Sequence, residues 1–442
     1  MGLRNAKFIK SNPYPQKLSS GYTIMNLSQI LEEPLQNGIF KTKEYYGNGV
    51  PLVNVFDLYQ GLFIDEKTLD RIDIAASEQK QYSAEAGDVF FCRSSIKPEG
   101  VAWTNCILHS SEPTTFECHL IKVRPNKDII NPLYLSEFCK TKTARQYLLS
   151  KASVTTMATI DQASIRNLPI IVPPMEEQIR LEELLENANS VCQSKLREAD
   201  ELLLGMDDFV LKQLGIGNIP IQSRLAVAIT LAAIKRENTI GAEYYHPERL
   251  TVIRAIENDP AVSTRRLIDI VDFLRDTVSA DGKSYLGLAG VVSNTGERSN
   301  AEETAEGQAF SYRAGDVLYA RLRPYLNKVL LIETDGVCST EFHVMRVKCG
   351  DVMPEYLAII IRSKIIVAQT KHMMTGNTHP RISNDDVRNL RIPVPSMDTQ
   401  KAVVNEMRKR IERSRRLKQE AESEWVAAKE RFERELIGGI CK

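Results

Sequence analysis

The sequence predicts an α+β protein made of two copies of one domain, each copy followed by a long amphipathic helix. Three observations carry that expectation: a gapless internal repeat about half the chain apart, a helical apolar stripe downstream of each repeat, and short strand-like and helix-like segments mixed inside each copy.

The repeat sets the organisation. Residues 160–178 align on residues 382–400 at a constant offset of 222, with identities at Arg166/Arg388, Asn167/Asn389, Leu168/Leu390, Val172/Val394, Pro173/Pro395, Met175/Met397 and Gln178/Gln400. Solenoid and propeller repeats recur every 20 to 50 residues or so, so a period this long means two whole domains. Upstream, Ala86-Gly87-Asp88-Val89 matches Ala314-Gly315-Asp316-Val317, and His119 to Arg124 is aligned with His343 to Lys348. Pro132 and Tyr134 then match Pro354 and Tyr356. Between these anchors the copies diverge, most of all at 20–80 against 250–305. One scaffold carries two different loads.

Within each copy, runs rich in β-branched and aromatic residues bounded by turn formers predict short strands. They fall at 51–55, 88–93 and 120–123 in the first copy, and at 285–288, 316–320 and 344–347 in the second. Residues 131–152 and 353–370 read as helices. Each domain is therefore expected to be a curved sheet with helices at one end.

Residues 176–214 contain no Pro and one Gly, and place Leu181, Leu185, Ala188, Cys192, Leu196, Ala199, Leu203, Met206, Val210 and Leu214 three or four apart. That spacing is the apolar face of one long helix. Residues 398–437 repeat the pattern from Val404 to Leu436 and stop at Gly438-Gly439. At about 1.5 Å per residue each helix is a rod of roughly 58 Å. Neither stripe is stable in water alone, so the two are expected to pack as an antiparallel coiled coil. Gly215-Ile216-Gly217 ends the first rod, and a helical stretch within 222–247 leads into Ala242-Glu243-Tyr244-Tyr245-His246-Pro247.

Bulk properties bound the function class. The chain has 442 residues, 43% of them apolar, and a formal net charge of zero, which argues against a uniformly basic coat and leaves a local basic patch open. The longest largely apolar run, 225–234, is ten residues and too short to span a bilayer. With no signal-peptide core either, the expected location is the cytoplasm, without membrane contact. Eight cysteines with no Cys-x-x-Cys pairing read as reduced thiols, and no metal site is expected.

Taken as an ordered set, the two-copy layout, the Pro-x-Met-x-x-Gln boundary before each rod, the Gly-Asp-Val strand and the 242–247 opening resemble the specificity subunit of type I restriction-modification systems. The resemblance covers essentially the whole chain. It implies that 1–172 and 216–393 are target recognition domains and that 173–215 and 394–442 are spacer helices. Each domain would read one half of a bipartite double-stranded DNA site, and their different variable regions make that site asymmetric. It also implies two methyltransferase subunits and endonuclease subunits docked on a non-catalytic chain. S-adenosylmethionine, ATP and Mg would belong to those partners, with no cofactor here.

Two clusters in each copy are candidates for DNA contact. Arg93 and Arg321 follow the Gly-Asp strand and carry forked donors, with Ser94, Ser95 and Lys97 after the first, and Arg323 and Lys328 after the second. The second cluster is the loop before the repeat. It contributes Thr155 and Thr156 in the first copy, and Lys371, Asn377, His379 and Arg381 in the second. Either cluster could equally be an ordinary solvated strand end or helix cap.

Other signals read as structural. Asn131-Pro132-Leu133-Tyr134 resembles an adenine methyltransferase motif, but its counterpart at 353–356 keeps only Pro and Tyr, as a helix start requires. His119 and His343, at matching places, lack a triad partner. The basic run Arg408 to Lys418 on the second rod is either a solvated face or a surface for DNA or an acidic partner. A self-contained DNA methyltransferase or nuclease, and a coiled-coil protein adaptor, are the competing readings.

Overall fold

Residues 14, 21–154, 156–216, 228–237, 240–257, 262–299, 301, 303–376 and 378–438 are described in a computed structural model. They form two compact units, one of Met1–Leu196 with Gln419–Lys442 and one of Arg197–Lys418. Residues 217–227 of the linker and Gly439 lie outside the described residues.

At the centre of the first unit is an antiparallel sheet in the order Gln36–Asn37, Leu120–Val123, Val89–Cys92, Thr104–Cys106. Its two middle strands are buried on both faces. Val89, Phe91, Ile121 and Val123 join the main core with Leu133, Tyr134 and Phe138. The alternate residues Phe90, Cys92 and Leu120 face a smaller core with Val53, Leu58 and Phe116. The period of two in a strand is what divides one strand between two cores. The second unit repeats the arrangement as Val271–Leu274, Phe342–Val347, Val317–Ala320, Val329–Leu331. In both units a strand ahead of this sheet pairs antiparallel with the repeated motif, Thr23–Asn26 with Pro169–Val172 and Ser263–Arg266 with Arg391–Val394.

The diverged regions hold the sheets that differ. In the first unit Tyr46–Val53 lies between Asp70–Ile72 and Thr115–Phe116. In the second, Gln308–Tyr312 and Gly336–Cys338 sit between Thr277–Ser279 and Tyr285–Leu286.

The strand register corrects one alignment. Val89 faces Val123 and Val317 faces Met345. Arg124 chelates Asp88 through two bonds of 2.7 and 2.8 Å, and Arg346 does the same to Asp316. Arg124 therefore corresponds to Arg346 at the same offset of 222, and the histidines do not match: His119 corresponds to Glu341. The Ala-Gly-Asp repeat has a local cause. Gly87 and Gly315 adopt φ of 101° and 89°, a left-handed turn that suits glycine. The next Asp then accepts the Glu85 or Arg313 backbone N–H at 2.8 Å while holding its arginine.

Each predicted domain helix is two helices. Pro132–Lys140 stops at Thr141, whose hydroxyl donates back to the Phe138 carbonyl and accepts from Ala144 N–H to start Lys142–Lys151. Pro354–Arg362 and Lys364–Thr370 are divided at Ser363, whose hydroxyl likewise donates back, to the Ile360 carbonyl, while its backbone carbonyl instead of its side chain accepts the Ile366 N–H. At Thr141 a side-chain hydroxyl that satisfies both ends lets the chain bend without orphaned backbone groups.

The rods start as predicted. The first, Met175–Leu204, breaks at Gly205 before resuming as Met206–Gln213; the expected single helix to Leu214 is interrupted there, where the Arg410 guanidinium donates 2.9 Å to the Gly205 carbonyl. The second runs Met397–Gly438 without a break. In each unit the helical segments run antiparallel. Arg180 pairs with Glu435 and Lys195 with Glu420 and Glu424 in the first unit. Glu198 pairs with Arg413 and Asp200 with Lys418 in the second. The predicted stripes face inward: Leu181, Leu185, Ala199, Met407, Leu417, Ala421, Phe432 and Leu436 are buried, each large one contributing about 2 kcal/mol through the area it removes from water.

The repeated glutamine fixes each rod to its domain. Gln178 is fully buried; its Nε2 donates to the Ile129 and Pro173 carbonyls, and its Oε1 accepts the Asn131 N–H at 2.8 Å. Gln400 makes the equivalent bonds with Asp351, Pro395 and Met353. Beside them the matched tyrosines Tyr134 and Tyr356 donate to the carbonyls of Ile171 and Pro393. Seven described cysteines are free thiols, five of them buried.

Candidate nucleic-acid interface

The two candidate clusters of each copy meet in one ribbon. In the first unit the central strand emerges at Arg93, whose N–H donates to the His119 carbonyl at 2.7 Å and whose carbonyl accepts from Ile160 at 3.0 Å. Ser94–Ser95 then pairs with Ala158–Thr159, which folds back on Ser153–Val154. Sequence separation had hidden this pairing. The ribbon is followed by Ile96, 82% exposed, and by exposed Lys97, while Thr156 is exposed at the ribbon's turn. Thr155 lies outside the described residues.

A cavity of about 610 Å³ opens beside this ribbon, lined by Tyr59, Ser94, Ile96, Lys97, Trp103 and His119 among others. Tyr59 stacks on Trp103 at 5.8 Å and donates to the Gly100 carbonyl, and Arg145 lies over the indole. Burial pushes the Tyr59 phenol up to about 12, so it stays a neutral donor. Ser94 Oγ shares a 2.6 Å hydrogen bond with His119 Nδ1. Flat apolar surface beside a few hydroxyl, imidazole and ammonium groups is the mixture that base-edge and phosphate contacts use. Glu99 and Glu117 also line this cavity; a neighbouring cavity of about 790 Å³ shares Glu117, adds Asp57, Asp65 and Asp70, and has no lysine or arginine in its lining. Its carboxylates repel phosphate, so size is a poor guide here.

The second unit builds the same ribbon from other residues. Arg321 N–H donates to the Glu341 carbonyl at 2.8 Å, and Ile382 donates to the Arg321 carbonyl. Leu322 bridges Arg381, and Arg381 bridges Thr375. Arg323 donates its N–H to the Pro380 carbonyl from a left-handed φ of 49°, a conformation uncommon outside glycine and characteristic of special turns. The Arg381 guanidinium grips Glu341 by bonds of 2.8 and 3.1 Å, which holds that carboxyl below its usual range. His379 is exposed on the turn, and Asn377 lies outside the described residues.

Beneath this ribbon sits His343. Burial, then the positive charges of Arg321, Arg275 and Arg388, lower its pKa to about 3, so the ring is neutral at pH 7. His343 Nε2, Arg321 Nε and Arg388 Nε are buried without a hydrogen-bond partner. The charges of Arg321, Arg275 and Arg388 reach this neutral ring, although Arg388 also pairs with Asp385, and net positive potential there favours an anion. Arg275 and Arg388 were not singled out from the sequence, although Arg388 belongs to the repeated motif.

Two candidates serve elsewhere. Lys328 Nζ donates 2.6 Å to the Leu288 carbonyl, and Lys371 pairs with Glu248 at 3.3 Å. The basic run on the second rod is largely matched with carboxylates: Arg410 with Glu406, Arg413 with Glu198, Arg415 with Glu297 and Lys418 with Asp200. Asn131 caps its helix by accepting from Leu133 and Tyr134 N–H, and Tyr134 is buried, which accounts for that motif structurally.

The type I restriction modification DNA specificity domain, as a family model, matches residues 20–192 and 279–423. The chain belongs to this family. Within it, the HindI type I restriction enzyme specificity subunit of Haemophilus influenzae is 27% identical over 114 residues, covering 25% of this chain and 25% of that protein. A provisionally named MjaX specificity subunit of Methanocaldococcus jannaschii is 24% identical over 179 residues, 40% of this chain and 41% of its own length. These matches span well under half of either relative. A chain from a structure describing assembly and conformational transition of a type I restriction-modification system aligns with a TM-score of 0.55 and 14% identity, covering 95% of this chain and 97% of that one; the likeness is one of fold. The specificity family's matched region includes both ribbons. Among the described residues, no helix is long and apolar enough to cross a membrane.

Proposed function

We propose that this chain is the sequence-reading subunit of a type I restriction-modification complex. The observation that carries the reading is the ribbon: in both units the same backbone bonds join the strand end to the preceding loop, while the side chains displayed differ. Ser94, Lys97 and His119 beside apolar Ile96 on one ribbon, and Arg321, Arg323, His379 and Arg381 on the other, present different contact groups to DNA. A shared frame with different contacts reads two different half-sites, so the DNA site is bipartite and asymmetric. The antiparallel rod segments set the gap between half-sites.

The chain supplies recognition and no chemistry of its own. Two methyltransferase subunits and endonuclease subunits dock on it and bring S-adenosylmethionine, ATP and Mg, all within the cytoplasm. The test is methylation mapping in host cells with and without this chain, with the methyltransferase present in both. Loss of one gapped, asymmetric motif on deletion supports the reading; an unchanged methylome refutes it. Exchanging residues 1–172 for another such domain should alter one half-site only.

A further inference from the structure

Away from the ribbon, among the described residues, one cluster gathers three metal-ligating side chains: His246, Glu248 and His372 place ligand atoms within 4.8 Å of one another. His246 precedes the helix Pro247–Glu257, which carries Glu248 in its first turn, and His372 follows the helix Lys364–Thr370. Two segments far apart in sequence meet here through polar side chains. We propose that these three residues form a binding site for a divalent first-row transition metal of zinc type, which clips the start of the second domain to the segment leading into its ribbon.

Three features support a cation. The His246 and His372 rings lie nearly parallel with centroids 3.3 Å apart, closer than ordinary aromatic pairs at 4.5–7 Å or so. Each neutral imidazole carries one nitrogen lone pair that can ligate an ion. Second, the Glu248 carboxylate is largely buried and lies 2.7 Å from His372 Nε2, so an ion entering there takes the place of the shared proton and moves the two ligand atoms slightly apart. Third, the positive charge now beside Glu248 comes from Lys371 Nζ at 3.3 Å on a side chain 54% exposed, which can swing into solvent when a metal takes its place. Two imidazole nitrogens and one carboxylate oxygen, completed by water, suit zinc and its neighbours better than magnesium or calcium.

The test uses the full chain, stripped with chelator and titrated with Co(II). The expected result is one equivalent bound per chain, with visible d–d absorption and no near-ultraviolet thiolate charge-transfer band, and a zinc-dependent rise in Tm. Both signals should vanish in His372→Asn and in His246→Asn, with circular dichroism and metal-free Tm close to those of the parent. Lack of stoichiometric binding, a thiolate band pointing to the cysteines, or undiminished binding in both variants would overturn the site. Should one variant misfold, the other still decides.

Discussion

Arg381 offers the sharpest test of the ribbon, because its guanidinium is already engaged by Glu341. In the free protein the pair is neutral, so a phosphate meets a positive charge there only if Arg381 leaves its partner. Glu341→Gln releases that charge; Arg381→Ala leaves a bare carboxylate facing DNA; the double variant is the neutral reference. Each phosphate neutralised steepens the dependence of log K on log salt by about 0.9. Glu341→Gln should therefore steepen the slope by roughly that amount, and Arg381→Ala should flatten it by a similar amount. Between 50 and 200 mM salt, a fourfold change, one such unit alters relative affinity about 3.5-fold. Fluorescence anisotropy on a duplex bearing the mapped site, run at four or more salt concentrations, resolves this. Exchanging the bases of the second half-site should abolish the difference between variants, while exchanging those of the first should preserve it. If all three variants match the parent in affinity and slope, the ribbon does not meet DNA and the argument from its geometry is wrong.

Other expectations follow from the buried polar groups. Gln178→Ala removes three hydrogen bonds and orphans the Asn131 N–H, so it should destabilise the first unit by about 3 kcal/mol; both tryptophans, Trp103 and Trp425, lie in that unit, so the urea transition read by fluorescence should shift for this variant and hold for Gln400→Ala. His343 is depressed to about 3 when folded, so below its ordinary value the unfolded state takes up the proton first. Stability is then full above about pH 6.5 and falls by roughly 1.4 kcal/mol per pH unit toward acid, and His343→Phe should remove that part of the slope in pH-dependent denaturation. Asp88→Ala strips Arg124 and the Glu85 N–H of a buried acceptor, and a loss of about 3 kcal/mol is expected in the same urea assay; a loss near zero would mean solvent replaces the pair.

The large features were legible because they repeat or are periodic. Matching identities located the rod starts, and an uninterrupted stripe of apolar residues specified helices whose buried face is the one observed. What failed was local. The Thr141 hydroxyl ends one helix and begins the next, and the Ser363 hydroxyl closes the first helix of its pair, roles invisible to periodicity because the flanking turns keep their apolar spacing. Gly205 in the first rod looked tolerable within a long stripe, yet it marks the break. The misplaced histidine match arose because two short strands of similar composition align almost as well two residues apart; only the Asp–Arg pairs and strand register decide it. For the ribbons, position after a repeated strand singled out Arg93 and Arg321, which the fold places where strand end and loop join. Arg275 was missed because it reaches His343 through the fold, and Lys371 was selected for its charge although its neighbour in space is Glu248.

The junction glutamines carry one last implication. Gln178 and Gln400 hold main-chain groups of the domain: carbonyls at Ile129 and Asp351, amides at Asn131 and Met353. The bonds these two glutamines make do not depend on which side chains those domain residues carry. On the proposed reading, a domain that brings the same backbone turn to that point meets the same hydrogen bonds on either helix, whatever DNA word it reads.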